Sequence, residues 1–418
     1  MEKRYLCVDL KTFYASVECV ERGLDPFHTN LVVADPSRGQ GGLCLAISPK
    51  MKAMGVKNRC RLFEIPSHIK YITALPRMNL YMQYAANIYE IYLKYVSKED
   101  IHVYSIDEAF LDITPYLHLY DMNEKEIAHM ILNDVYATYG ITATVGIGTN
   151  LYLAKIALDL LSKHTKDNMG YLDETLYKEK LWDYTPITDF WHVGKGIAKR
   201  LEKYGFTTMR DVASCDVNIL KKEFGINGEY LYDHAWGKEP TTMKDIKAYT
   251  PNHHSLSNNQ ILFEDYTYEN ALLVLKEMVE SNVIEMVDKH LVSNHISLFI
   301  GYSKNMRPPT GGSKRIDYCS NSLHIFMKEF EMLFKKNSDP YCPIRQIGIS
   351  FGNVKDEYFE AYDLFTDMEK IEEERNLSIT LAKIKHKYGK NAILKGMNLM
   401  EKATAKKRNT LVGGHNAK

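Results

Sequence analysis

Apolar positions along this chain recur at two spacings, and the switches between them mark out its elements. Residues 5–8 form a short apolar run that ends at Asp9 and reads as a buried strand. Residues 12–22 then place Phe13, Val17 and Val20 on one helical face. Asp9 therefore stands where a strand gives way to a helix. "NLVVAD" predicts a second strand and "PSRGQGG" a flexible loop. "LCLAISPKMKAMGVK" predicts a strand, a turn at Ser48-Pro49 and a short cationic helix. "IHVYSI" and "AFLDIT" read as two strand halves, residues 123–138 as a helix, "ITATVGIG" as a β-branched strand and "NLYLAKIALDLLSKH" as a helix. This mixture makes the first 165 residues an α+β unit.

Residues 166–240 change character, to short helical pieces punctuated by glycine. Within them "ITDFWHVGKGIAKRLEKYGF" places a Gly194-Lys195-Gly196 turn between two short apolar stretches, a helix-hairpin-helix pattern whose backbone N–H groups suit a DNA phosphate. A linker is expected at 241–252. Beyond it the order is strand, helix (269–290), strand, strand, helix (321–336), strand. This is the β-α-β-β-α-β order of a split βαβ sandwich, and its strands carry no carboxylate cluster. Residues 366–395 read as further helix, followed by a basic tail.

Composition narrows this picture in four ways. At 418 residues, 45% hydrophobic and 25% charged, the chain suits several folded domains and excludes a disordered or fibrous protein. "MEKRYLCVDLKTFYASVE" has neither an apolar leader core nor a cleavage site, and no later apolar run approaches spanning length, so a cytoplasmic protein without a membrane partner is expected. Seven scattered cysteines without a CxxC pair read as buried free thiols. Lys+Arg and Asp+Glu balance at 53 each, but residues 380–418 hold ten Lys or Arg against one Glu, a distribution suited to a polyanion.

Chemistry gathers at "YSIDEAFLDI". Successive side chains of a straight strand point to opposite faces, so Asp107 and Glu108 would not share a ligand unless the chain reverses beside them. A hairpin there gathers both at a strand end, and Asp9 supplies a third acid at another. Oxygen ligands without His or Cys suit Mg²⁺ or Mn²⁺, and paired divalent ions are the usual device of in-line phosphoryl transfer. Lys52 and Lys155, each on a short helix after a strand, are placed to meet a triphosphate.

"VDLKTFYASVE", "SIDEAFLDI", "TVGIGTNLYLAKIA" and the helix-hairpin-helix at 189–205, in that order, resemble the Y-family translesion DNA polymerases, UmuC-like branch, over roughly residues 1–360. The ending resembles members from Gram-positive bacteria and their mobile elements. The resemblance implies a right-hand α+β multidomain fold. Its parts are a ferredoxin-like palm with small fingers (1–165, fingers about 22–77), a helical thumb (166–240), a little finger (253–355) and a C-terminal helical segment with basic tail (356–418).

It implies two Mg²⁺ ions on Asp9, Asp107 and Glu108, with Asp107 bridging. Tyr14, beside Phe13, becomes a steric gate against a ribose 2′-OH, and Lys52 and Lys155 become triphosphate contacts. Pro49 and Lys52 stand where DinB-like members carry Tyr and Arg, and a lysine lacks the planar bidentate fork. "AYDLF", with Leu364 and Phe365, resembles a sliding-clamp-binding peptide without its leading Gln.

The activity implied is low-fidelity, template-directed DNA synthesis past lesions, in DNA damage tolerance and the SOS response. Primer-template DNA and dNTP are the substrates, and the clamp and a small accessory subunit are further expected partners. Two alternatives stand beside it. A two-metal nucleotide cyclase on a similar palm would need no thumb or DNA-gripping C-terminal unit, and a non-catalytic DNA-binding scaffold would need no aligned carboxylates.

Overall fold

The computed structural model describes residues 2–362, 364 and 366–418. They form two compact units, Met1–Tyr249 with His415–Lys418, and Thr250–Gly414.

The first unit opens with β1 (Tyr5–Leu10), α1 (Phe13–Val20), β2 (Leu31–Val33), β3 (Ala46–Ile47), α2 (Pro49–Ala53), β4 (Ile72–Ala74) and α3 (Met78–Tyr95). It continues through β5 (Ile101–Val103), β6 (Glu108–Asp112), α4 (Thr114–Tyr120), α5 (Glu124–Tyr139), β7 (Ala143–Gly148), α6 (Leu151–Ile156) and β8 (Met169–Leu172). The main sheet runs β5-β6-β1-β7-β8, with β1 central and antiparallel to both neighbours. Every residue of β1 except Asp9 is buried, as expected of a central strand covered on both faces. β8 lies beyond the palm boundary expected at residue 165 and extends the sheet through a parallel pairing with β7.

The longest helix of this unit among the described residues, α3, has no counterpart among the predicted elements. Five tyrosines and interspersed polar residues blur its apolar spacing, and Arg77 provides no capping side chain. The fingers segment forms its own small sheet, β3-β2-β4, over a core that includes Val32, Ile47, Met51 and Ile65. α2 begins as its sequence predicts, with Ser48 as N-cap and Pro49 in the first turn.

Helices α7 (Glu174–Leu181), α8 (Lys195–Glu202), α9 (Met209–Ser214), α10 (Val217–Phe224) and α11 (Ile226–Ala235) pack around Tyr177, Phe190, Leu201, Val212 and Leu220. The first helix of the expected helix-hairpin-helix is only a 3₁₀ turn, Ile187–Asp189. The chain turns extended at Phe190, whose ring is buried edge-on to Tyr177 and Tyr184. The stretch expected as a linker, 241–252, contains the boundary between the two units, but part of it is helical. Residues in it form α12 (Met243–Ala248), opened by a Thr242/Asp245 capping box, and Met243 and Ile246 pack beside Tyr5, Cys7 and Phe110.

The second unit contains β9 (His254–Tyr266), α13 (Tyr268–Asp288), β10 (Leu291–Tyr302), β11 (Thr310–Ser320), α14 (Leu323–Asn337) and β12 (Ile344–Asp356), the predicted β-α-β-β-α-β order. Its antiparallel sheet runs β11-β10-β12-β9, with Phe326 and Phe330 of α14 set edge-on to Phe351 in the core.

α15 (Met368–Tyr388) and α16 (Ala405–Arg408) follow. The expected basic tail is not a free solvated segment. Glu277 on α13, 1% exposed, accepts from Asn398 Nδ2 at 3.0 Å, Thr404 N at 2.8 Å and Ala405 N at 3.0 Å. Lys395 and Lys402 pair with Glu280 and Glu264. Two charges of the basic run thus meet carboxylates that only folding brings near.

Candidate active site

The puzzle of adjacent acids resolves at the β5–β6 hairpin. Tyr104 N and Ser105 N both donate to Glu108 O, at 2.9 and 3.1 Å, so the chain reverses through residues 104–107 and Glu108 opens β6. Asp9 lies directly opposite Glu108 in the β1–β6 ladder. Side chains of directly opposed residues share a face, so these two carboxylates are neighbours. Asp107 sits just before the strand, where Leu10 N donates to its carbonyl at 2.9 Å and Ser105 Oγ to its carboxylate at 2.7 Å.

The three acids repel. Burial, then Glu108, then Asp107 push the Asp9 carboxyl up to about 7, with Lys163 opposing. An all-oxygen, mutually repelling set is what a hard divalent cation would relieve, so the donors fit Mg²⁺. They do not yet form a closed cage. Among the described residues no three ligand-type side chains converge around one point, and Glu108 Oε1 is held by Lys155 Nζ at 2.6 Å.

Lys155 owes its position to glycine. A Cβ on Gly146 would stand 2.0 Å from Ala154 O, and one on Gly148 would stand 2.2 Å from Ala154 N. Only bare backbone lets α6 lie this close on β7, which explains "VGIGTN" before the helix. Asn150 caps α6 by accepting from Leu153 N at 2.8 Å, and after Ile156 the coil widens into a π-helical turn, Ala157–Leu161. Lys155, 6% exposed, also reaches Asp159 at 3.2 Å. Burial opposes its charge, but Cys7, Asp159 and Glu108 together hold it protonated above the usual lysine range. The sequence places Lys155 with Lys52, whereas the structure ties it to the carboxylates.

Tyr14 is half-buried at the start of α1, and its ring stacks on Tyr81 of α3 at 4.5 Å and 18°. Tyr81 Oη donates to Glu18 Oε1 at 2.7 Å. Glu18 is fully buried and also takes Arg77 Nε and Nη2 at 2.9 and 2.8 Å. A charged network thus fixes the ring beneath Tyr14, and it escaped the sequence reading because α3 did. Phe13, expected beside the substrate, is 2% exposed and lies behind Tyr14 with ring centroids 5.8 Å apart. Consecutive helical residues point about 100° apart, so only one of the pair faces outward.

Lys52 is exposed on α2 and has no ion-pair partner among the described residues. Its charge acts on Lys11, and that of Arg59, from the fingers loop, acts on Tyr14. Arg59 holds a left-handed backbone at φ 57°. Asp112, in the same motif as the catalytic candidates, is a structural group. It accepts from Lys3 Nζ at 2.9 Å and Thr114 N at 3.0 Å.

In the predicted DNA-binding turn, Gly194, Lys195 and Gly196 are exposed at the start of α8, and a Cβ on either glycine would meet open space. Of the two clamp-peptide anchors, Leu364 is 99% exposed and Phe365 lies outside the described residues. Among the described residues no helix is long and apolar enough to cross a membrane.

Comparison with known proteins bears on all of this. Residues 8–159 match the impB/mucB/samB family, and residues 253–364 match the C-terminal domain of that family. The chain is similar to a putative UV-damage repair protein, UvrX, of Bacillus subtilis, at 34% identity over 99% of this chain and 97% of the relative. It is also similar to DNA polymerase IV 2 of Halalkalibacterium halodurans, at 27% identity over 99% of this chain and all of the relative (100%). Among solved structures, a chimera of the Y-family DNA polymerases Dbh and Dpo4 superposes with a TM-score of 0.65 at 23% identity, over 84% of this chain and 99% of that one.

Proposed function

The chain belongs to the impB/mucB/samB family of Y-family DNA polymerases, and on that footing we propose that it is a template-directed, low-fidelity DNA polymerase performing translesion synthesis. The observation that carries the reading is the pairing of Asp9 with Glu108 on the central strands, with Asp107 anchored beside them at the hairpin end. The primer 3′-hydroxyl gives up its proton to solvent as its oxygen attacks the α-phosphorus of a dNTP, the bond to the β-phosphate oxygen breaks, and pyrophosphate leaves.

Asp9, Asp107 and Glu108 would hold two divalent cations, whose chemistry there would be charge neutralisation and a lowered barrier to deprotonating the primer hydroxyl. Lys155 holds Glu108 in place, and Lys52 faces the triphosphate as a mobile point charge. The Tyr14 ring, propped by Tyr81, fills the space of a ribose 2′-OH. The exposed turn Gly194-Lys195-Gly196, where neither glycine has a neighbour on its Cβ side, meets template-duplex phosphate. Exposed Leu364 serves as an apolar anchor for the sliding clamp.

Primer extension with Mg²⁺ on an undamaged template tests the reading. The wild type extends and Asp107→Ala does not. A wild type that adds no nucleotide, or an Asp107→Ala variant that extends equally well, overturns it. Tyr14→Ala is expected to raise ribonucleotide insertion about tenfold or more, since a steric exclusion is worth a few kcal/mol, and unchanged sugar selectivity removes the gate assignment.

A further inference from the structure

Like charges face each other where β1 meets β6, and they push the hairpin that carries Asp107 and Glu108 away from Asp9. Something has to hold that hairpin in register. Its reversal is closed by the amide of Tyr104, which donates to Glu108 O at 2.9 Å, and the Tyr104 side chain is 44% exposed. The ring is nonetheless fixed. Its hydroxyl accepts from Trp191 Nε1 at 3.0 Å, and the ring stands edge-on to Trp191 (5.7 Å, 80°) and to Phe110 of β6 (5.8 Å, 86°). Lys155 Nζ, the partner of Glu108, lies 6.0 Å from the same ring centroid, at the outer limit of a cation–π contact.

Trp191 belongs to the helical part formed by α7–α11. Its neighbours Phe190 and Val193 are each 2% exposed in the core of that part, and the chain then runs on to the exposed turn Gly194-Lys195-Gly196. The half-buried indole packs against this core, nearly parallel to Tyr152. It also packs against the cluster on the main sheet that includes Cys7 and Phe110, with 5.9 Å between the Trp191 and Phe110 centroids. Trp182 and Trp236 differ. They lie edge-on to each other among the same helices, and Trp182 Nε1 donates to Ala235 O at 2.7 Å. A contact that only joined the helices to the sheet could have met any residue of the sheet. Trp191 instead gives its N–H to the residue whose own amide closes the hairpin of Asp107 and Glu108.

We propose that Trp191 and Tyr104 are positioning residues for nucleotidyl transfer. The indole holds the Tyr104 ring, and through it the hairpin, in the setting that presents Asp107 and Glu108 to divalent cations. The inference rests on the polymerase reading and adds to it the group that fixes where two of the three acids stand. Neither side chain is a ligand, and neither takes part in bond making.

The first readout needs no turnover. A cation that binds the folded acids raises the melting temperature, so titrating the full-length protein with Mg²⁺, without DNA or nucleotide, gives its half-saturating concentration. Trp191→Phe and Tyr104→Phe keep a ring and lose the hydrogen bond, and are expected to raise that concentration about threefold or more, with Tyr104→Ala raising it about tenfold. In single-nucleotide insertion the same variants are expected to lower kcat at limiting Mg²⁺ by similar factors, with KM for dNTP changed less than about twofold, and excess Mg²⁺ restores kcat. Trp182→Phe is the control, since it loses a comparable bond that does not touch the hairpin, and its half-saturating Mg²⁺ is expected to match the wild type. Wild-type half-saturation in both Trp191→Phe and Tyr104→Ala overturns the proposal. So does an equal shift in Trp182→Phe, the mark of general loosening, or a loss of kcat that excess Mg²⁺ does not restore. These results leave wild-type extension intact, whereas a wild type that does not extend, or whose melting temperature Mg²⁺ leaves unmoved, overturns the reading on which the proposal rests.

Discussion

Both units of this protein contain a β-α-β-β-α-β sandwich, yet they treat buried acid in opposite ways. In the first, β1 lies between β6 and β7 and brings Asp9 against Glu108, with Asp107 alongside, and burial and repulsion push Asp9 up to about 7. In the second, β10 and β12 are the inner strands, and the buried acid is Glu277 on a helix, met by the amides of Thr404 and Ala405, the Thr404 hydroxyl and the Asn398 amide. Glu277 is satisfied within the chain, which is the ordinary fate of a buried polar group. Lys155 meets one oxygen of Glu108, but Asp9 is left facing both other acids, its relief deferred to something that binds. The comparison teaches that burial alone does not mark a functional carboxylate. The marker is whether the protein completes the group's electrostatics itself.

Four measurements bear on that contrast. The largest effect is expected from Asp107→Ala, which should cut nucleotide insertion by about a thousandfold or more, several kcal/mol of transition-state stabilisation, without lowering the melting temperature. A stability loss matching the activity loss would show Asp107 to be structural. Glu277→Ala reverses the pattern. It leaves buried donors unmet and should destabilise the second unit by about 3 kcal/mol, read by denaturant unfolding, with Glu277→Gln costing less because one acceptor oxygen remains.

Gly148→Ala comes next, at roughly 1–3 kcal/mol for forced overpacking. Its Cβ would press on Ala154 N, shift α6 and carry Lys155 away from Glu108, so insertion should fall as well, whereas Gly396→Ala, which meets open space, should be near neutral.

The smallest effect is a slope. Asp9 titrates near 7 in the folded chain and near 4 unfolded, so between those values the folded state holds a proton that the unfolded state has lost. Metal-free stability from this group is therefore full below about pH 4 and is lost as pH rises through about 7. Asp9→Asn should flatten that part of the melting-temperature profile, and Mg²⁺ should offset the loss above pH 7. An unchanged profile in Asp9→Asn would place the acid outside the repelling cluster.

Much of this was legible in the sequence because it is local. The reversal beside Asp107-Glu108, the Ser48-Pro49 helix start and the element order of the second unit all follow from short-range alternation and capping. What escaped lacked a local signal. α3 carries tyrosine where a periodic apolar stripe would show, and with it went Tyr81 and the Glu18–Arg77 network under Tyr14. α12 was hidden in a stretch that reads as a polar linker, and only Met243 and Ile246 find apolar cover. The first half of the helix-hairpin-helix was lost to the packing of Phe190, and within the basic tail Lys395 and Lys402 went to Glu280 and Glu264.

The sequence by itself determined the order of elements in the second unit, that three acids stand at strand ends, and the family to which the chain is similar, since each is written in short-range pattern. Only the tertiary structure decided which charges meet. Lys155 went to Glu108 because Gly146 and Gly148 admit a helix at backbone contact, and Tyr81 came under Tyr14 because Glu18 and Arg77 hold it there. Electrostatic energy depends on separation through space, which the order of residues along a chain does not encode until the chain has folded.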